Sequence, residues 1–361
     1  MNTMTREQPV LDQTAAEAFA NRVGDMLNAG ATTVMMAVGH RLGLFDTMAH
    51  MPPATSSEIA ERADLAERYV REWLAVMVVS GVVSHDPARH TYRLPPEHAA
   101  CLTRGAPLGN LAVFAQHVSL LGKIEDRVID CFETGAGTAY GDYPCFHQVM
   151  AEDSGETVTA ALFEDILPLV SGIDTRLAAG IEVLDAGCGR GLALIALAER
   201  FPNSRFVGYD LCRDATAFAT EAARRAGVAN VRFEARDLTG YAEPGRWDLI
   251  TSFDAVHDQK DPEGLLRGLR TSLRPGGVYL MQDIGGSSRL ENNTNFPLAA
   301  LLYAISCAHC TPISIGQGGA GFGTMWGWES AQKMLHEAGF AHIERHVLPH
   351  DPTNVWFVSR V

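Results

Sequence analysis

The stretch VLDAGCGRGLALIALAERFPNSRFVGYD, residues 183–210, places two carboxylates and three glycines at spacings that suit a nucleoside ligand. Asp185 closes an apolar run, Gly187, Gly189 and Gly191 follow it, and a helical pattern begins at once. Backbone without side chains can press against a ligand there, close to the N–H groups of a helix start. A dinucleotide fingerprint, G-x-G-x-x-G, needs its third glycine where Leu192 stands, so the register is D-x-G-x-G-x-G instead. Asp210 ends a second apolar run 25 residues after Asp185, near where a carboxylate accepts hydrogen bonds from ribose hydroxyls. Asp237 follows a third run, in EARDLTG. Three acids at adjacent strand ends would repel a pyrophosphate. They suit a ligand with a ribose, an ammonium and a positive centre.

These residues need a sheet to align them. From Ile181 onward strands and helices alternate, with strands expected at 181–186, 205–210, 230–235, 247–252 and 277–284, then two more at 342–347 and 354–359. Such alternation predicts an α/β fold, a doubly wound, Rossmann-like parallel sheet covered on both faces, with an antiparallel strand near the C-terminus. Apolar helical patterns are expected at 296–309 and 328–340.

The front of the chain reads differently. Residues 14–48 suggest two helices, one with Phe19, Val23, Met26 and Leu27 on a face, the next with Val34, Met35, Val38, Leu42 and Phe45. Thr55 and Glu58 have capping-box spacing, Gly81 marks a helix stop, and Val82 and Val83 can pair with residues 92–94, which predicts a winged helix. Residues 107–132 look like one long helix carrying His117, followed by a glycine-rich stretch, 133–144, and renewed helical spacing. The expected division is a mostly helical winged-helix domain, 1–150, and the sheet domain, 151–361.

Composition bounds the partners. With 47% apolar and 20% charged residues over 361, about two globular domains are expected. A net charge of -14 disfavours wrapping nucleic acid or an anionic membrane. Within the winged-helix segment, 54–96, five arginines and no lysine face six carboxylates, so DNA reading is not expected there. MNTMTREQPVLDQ lacks a basic start followed by an apolar stretch, and no apolar run reaches about 20 residues, so a cytoplasmic protein without a membrane span is expected.

Seven irregularly spaced cysteines fit reduced thiols. Cys307 and Cys310 flank His309 in CAHC, but zinc would need further ligands and no second pair exists, so core packing is the simpler reading and no metal is expected. GQGGAGFGTMWG, residues 316–327, lacks the G-K-[ST] ending of a phosphate loop and reads as a flexible or closely packed loop.

The glycine loop with its carboxylates, followed by RWDLITSFDAVHD and LLRGLRTSLRPGGVYLMQDI, resembles class I S-adenosylmethionine-dependent methyltransferases. FHQVMAEDSGETVTAAL and the winged-helix front are similar to O-methyltransferases of plants and actinobacteria. FDAVHDQKDP and GQGGAGFGTMWG resemble mycobacterial-type winged-helix methyltransferases sometimes labelled transcriptional regulators. The resemblance implies that S-adenosyl-L-methionine is the cofactor. Asp185 and the three glycines would hold its methionine part, Asp210 its ribose, and Asp237 with the Leu238 backbone its adenine. Leu211, Phe253 and Asp254 would complete that set. Tyr140, Phe146, Met150, His117 and His309 would line the side of a small-molecule acceptor methylated at oxygen. His257 corresponds to a histidine base, although Gln259 replaces the family's tryptophan, and ordering the loop is the competing role. A homodimer is implied through the N-terminal domain. Two other functions stay open: a cofactor-binding transcriptional regulator, and a non-methylating enzyme on the same fold.

Overall fold

Asp12 accepts the backbone N–H of Ala15 (3.1 Å) and caps α1 (Gln13–Arg41) in the computed structural model, which describes residues 11–106 and 109–361. The first ten residues, where the reading of the chain's start falls, and Pro107 and Leu108, where the long helix was to begin, lie outside these. Val34, Met35 and Val38 do not open a second helix. They continue α1, which stops at Gly43 (φ 70°) before α2 (Leu44–Ala49). An interior glycine costs a helix only about 1 kcal/mol, so Gly24 and Gly30 do not break it.

The capping box is present at α3 (Ser56–Ala63), with Glu58 N donating to Thr55 Oγ1 (3.3 Å) and Thr55 N to Glu58 Oε2 (2.7 Å). After α4 (Glu67–Val79) come the antiparallel wing strands β1 (Ser84–Asp86) and β2 (Thr91–Arg93). Pairing starts at Ser84 rather than Val82, because the N–H groups of Val82 and Val83 are both spent on Met77 O, closing α4. Phe45, Leu74 and Met77 form the centre of this unit, with the Trp73 ring edge-on to Phe45 at 5.3 Å. After the short α5 (Pro96–Ala99), the stretch read as one long helix is two, α6 (Ala115–Lys123) and α7 (Glu125–Thr134), parted at Ile124. The chain divides into compact units at residues 119 and 120.

In the second unit, α8 (Phe146–Ser154) and α9 (Ile173–Ala179) precede β3 (Glu182–Ala186), β4 (Arg205–Asp210), β5 (Val231–Ala235), β6 (Trp247–Phe253) and β7 (Leu273–Ile284). A terminal hairpin, β8 (His342–Leu348) and β9 (Asp351–Arg360), completes the sheet in the order β5-β4-β3-β6-β7-β9-β8. The first five strands pair in parallel; β9 is antiparallel to β7 and to β8. Strand order reverses between β3 and β6, the place where a doubly wound sheet opens a ligand crevice.

Period-two alternation divides the core. Val183, Phe206, Leu249 and Leu280 pack with Leu177 of α9 and with Leu194 and Leu197 of α10 (Leu192–Arg200). Leu184, Val207, Ile250 and Met281 face the other way. After α11 (Arg213–Ala226), they meet Leu265 and Leu269 of α12 (Pro262–Ser272). Both faces are thereby covered, and only the strand ends remain open to a ligand.

The apolar pattern at 296–309 extends further than its sequence reading. It becomes α13 (Ala299–Ile305), a π-turn (Ser306–Cys310) and α14 (Thr311–Gly316), ahead of α15 (Trp328–Glu337). These 18 residues, mean hydropathy 1.4, are long and apolar enough to cross a membrane by length and composition. Within the second unit, Tyr143 Oη donates to Ala308 O (2.8 Å) and Ser314 Oγ to Gln259 O (3.1 Å), tying the stretch to its neighbours.

Candidate functional site

At the carboxyl ends of β3 to β6 lies a cleft of about 1070 Å³, counting the open solvent at its mouth. Asp185, Gly187, Gly189, Gly191, Asp210, Leu211, Asp237, Leu238, Phe253 and Asp254 all line it, as do Tyr140, Phe146 and Met150. The three loop glycines have positive φ, 84°, 51° and 71° in order. A Cβ on Gly187 would sit 2.4 Å from Ala255 Cβ, and one on Gly191 2.4 Å from the Phe233 ring, whereas Gly189 has open space beside it. Two glycines therefore let the loop pack and the middle one leaves room in the cleft.

Asp210 accepts the N–H of Gly189 on one oxygen and that of Cys212 on the other, both at 2.8 Å, so it joins the loops after β3 and β4. Burial still raises its carboxyl above the usual range. Asp185 accepts the Thr251 hydroxyl (2.8 Å). Burial pushes its carboxyl up to about 7, against the pull of Thr251 and with the neighbouring Asp210 adding to the rise. Asp237 is exposed and accepts the Thr239 N–H (2.8 Å), which holds its carboxyl below the usual range.

Asp254 adopts φ 50°, a left-handed conformation rare outside glycine and common at functional sites. One of its oxygens accepts the Gln282 amide (3.1 Å); the other is buried without a hydrogen-bond partner among the described residues. Thr159 Oγ1 and Arg190 Nε, both from lining residues, are likewise buried without partners. Three orphaned polar atoms on residues lining one cleft call for a polar ligand. Arg190 also stacks over Phe218 (4.2 Å), while Arg236 is paired with Glu243 (2.8 Å).

The other predicted residues are placed less uniformly. His309 is buried and its ring stacks on Phe146 at 4.1 Å, so it backs a lining residue. His117 is buried in α6, in the first unit. His257 sits behind the wall: Asp254, Ala255, Asp258 and Gln259 line the cleft, and its ring turns inward. His257 Nδ1 lies 2.8 Å from Asp283 Oδ1. Burial disfavours the charged ring, but the Asp283 carboxylate and then Cys310 outweigh it and hold the ring's pKa well above 6.5.

Sequence reading missed Asp258, which accepts the Tyr140 hydroxyl at 2.6 Å on the cleft surface. It also missed Asp283, although an acid at the end of β7 is the same signal that exposed Asp185 and Asp210. No local pattern marks Thr251, Trp326 or the wall formed by Ala151, Ser154, Val158 and Thr159. His147, Cys212 and Asp214 converge near the cleft, as do Asp254, His257 and Asp283. In the second group the ring nitrogen and an Asp283 oxygen are already spent on each other, so it reads as an acid–base dyad.

Sheet order, glycine loop and strand-end carboxylates define a Rossmann-like α/β protein with a nucleoside-type cleft, the fold of class I methyltransferases. Residues 30–104 match the Rv2258c-like winged HTH domain and residues 177–339 match a methyltransferase domain, so this chain joins the two. It is 35% identical over 108 residues to a ubiquinone biosynthesis O-methyltransferase of Ralstonia nicotianae, covering 29% of this chain and 44% of the relative. The first curated relatives are matched over 26% to 45% of their length. Mitomycin 7-O-methyltransferase is similar in fold over 96% of this chain and 100% of that one, with a TM-score of 0.66 and 18% identity. Human N-acetylserotonin methyltransferase in complex with S-adenosylmethionine is similar over 98% and 99%, with a TM-score of 0.62 and 16% identity.

The glycine geometry separates packing from access. Gly191→Val is expected to lower stability by roughly 1–3 kcal/mol or more through strain and overlap with Phe233, and Gly189→Ala by less. Thermal unfolding of both variants checks this; equal losses would contradict the placement.

Proposed function

We propose that this chain is an S-adenosylmethionine-dependent methyltransferase that methylates a small-molecule acceptor at oxygen. The observation that carries the reading is the convergence of Asp185, Asp210 and Asp237, from the ends of three adjacent strands, on one cleft beside an open glycine. The cofactor fits the donor set: carboxylates for an ammonium and ribose hydroxyls, orphaned donors for a carboxylate and ring nitrogens, and an acidic wall for a positive sulfur. Asp185 with the glycine loop would take the methionine part, Asp210 the ribose, and Asp237 with the Leu238 backbone the adenine. Leu211, Phe253 and Asp254 would enclose them. When bound, the cofactor supplies a methyl group on a sulfonium, open to in-line displacement. Positioning the acceptor is then most of the catalytic task, and alignment alone supplies effective molarities of roughly 10⁵ to 10⁸ M.

Tyr140, Phe146 and Met150 would meet the acceptor, with His309 behind Phe146. His257, oriented by Asp283, would withdraw the hydroxyl proton once the ring is neutral and the wall at residues 254–259 gives the acceptor access to it. Because its pKa is raised, the neutral fraction grows as pH rises, so the rate should increase with pH through a limb above 6.5.

The winged helix is better explained as a dimerisation element than as a DNA reader. In α4 the arginines are paired on their own helix, Arg71 with Glu67 (2.6 Å) and Arg68 with Glu72, leaving no free phosphate-binding stripe there. On α1, Phe19, Met26 and Leu27 are 63%, 53% and 71% exposed, an apolar face that a second copy would cover. Seven unpaired cysteines suit the reducing cytoplasm.

S-adenosylhomocysteine should bind by calorimetry, and S-adenosylmethionine should bind more tightly as pH rises through about 7, where Asp185 ionises toward a cationic ligand. Asp210→Asn should weaken both by about tenfold or more, a loss of about 1.4 kcal/mol; absence of binding to the unsubstituted protein would end the reading. With an acceptor found by mass-spectrometric screening, His257→Ala should lower kcat by roughly 10² to 10⁴ with cofactor affinity retained; near-normal turnover would remove the base. Sedimentation should give twice the chain mass, reduced to one by Phe19→Lys with Leu27→Lys, and an unsubstituted monomer would refute the dimer.

A further inference from the structure

The glycine-rich run at 316–327 has no task in the proposed chemistry, yet all its glycines but Gly318 are in tight contact. At Gly323 (φ 70°) a Cβ would lie 2.3 Å from both Ser306 Oγ and Thr311 Oγ1, and at Gly327 (φ 89°) 2.0 Å from Ser288 N. Backbone without side chains therefore pins the segment against the π-turn at one end and the chain leaving β7 at the other. Two buried donors lie between these pins. Thr324 Oγ1 donates to Cys310 Sγ (2.9 Å), and Trp326 Nε1 donates to Asp283 Oδ1 (3.0 Å).

Both recipients act on the same imidazole. Asp283 Oδ1 holds His257 Nδ1, and the Cys310 sulfur, after the Asp283 carboxylate, raises the ring's pKa. The π-turn, a form frequent at functional sites, leaves both His309 and Cys310 buried, with His309 Nδ1 3.4 Å from the same sulfur. We propose that the glycine-rich loop is a clamp that sets the protonation state of His257, with Thr324 acting through Cys310 and Trp326 acting through Asp283 as positioning residues.

The two arms act in opposite directions. A sulfur that accepts the Thr324 hydroxyl is turned to accept from the ring as well, which favours imidazolium; without that donor the thiol can donate its own proton to the ring and favour the neutral form. An indole N–H on Asp283 withdraws charge from the oxygen that faces the ring, so its loss strengthens the carboxylate's hold on the proton. The ionisable groups facing His257 are Asp254 and Asp258 from the segment after β6, Asp283 from β7, and Cys310 from the π-turn. The carboxylates are common to every variant below, so they do not produce opposite shifts.

The inference rests on His257 being the base, but its test does not require turnover. The protein with ¹³C-labelled histidine, bound to S-adenosylhomocysteine, is titrated by NMR, and the His257 signal is assigned by its loss in His257→Asn. Thr324→Val should lower the ring's midpoint by about half a pH unit or more, Thr324→Ser should restore it, and Trp326→Phe should raise it. The alkaline shift and the acid shift should reappear in the pH limb of kcat. Midpoints that stay in place, or that move the same way in Thr324→Val and Trp326→Phe, overturn the clamp. If His257→Ala retains turnover, the base assignment fails while the titration still decides the clamp.

Discussion

Asp210 fastens two loops at once, and the cleft takes its shape from that. Its carboxylate accepts N–H groups from Gly189 and Cys212, while the carbonyl of its neighbour Tyr209 accepts those of Gly187 and Cys188. The glycine loop is thereby held against the end of β4 by backbone donors alone, which leaves its side-chain-free surface turned to the cleft. The cost is a buried anion next to another acid. Burial, with repulsion from Asp210 across adjacent strand ends adding to it, pushes the Asp185 carboxyl up to about 7. A cationic ligand removes this conflict and an anionic one deepens it, so the same interaction that builds the loop selects the charge of what it holds.

The far side of the cleft is built on another principle. There the residues are not at strand ends but behind them. Phe146 leans on His309, Tyr140 reaches Asp258, and His257 is enclosed by Asp283 and Cys310. Glycine serves both regions in different ways: at Gly189 it leaves open space in the cleft, and at Gly316 and Gly327 it lets one backbone lie against another. Composition alone does not distinguish these uses. The neighbours a Cβ would meet do.

That difference explains what could be read in advance. The seven strands of the large sheet appear within a few residues of their apolar runs, because period-two burial and strand-ending acids are local signals. The capping box at Thr55 and Glu58 was legible for the same reason. Where competing hydrogen bonds decide, local pattern fails: Val82 and Val83 look like strand but serve to close α4. The inward turn of His257 depends on Asp283, Cys310 and Trp326, partners brought together only by the sheet and the π-turn, so no spacing near residue 257 announces it. The two helices expected over 14–48 divide at Gly43 rather than before Val34, and Gly24 and Gly30 cost too little to stop α1.

Crystals of the protein grown with S-adenosylhomocysteine test the central claim most directly. The account requires the Asp210 carboxylate within hydrogen-bonding distance of both ribose hydroxyls, with the amino group of the ligand on the Asp185 side of the glycine loop. A ligand bound elsewhere, or one in this cleft with its sugar turned away from Asp210, would contradict it.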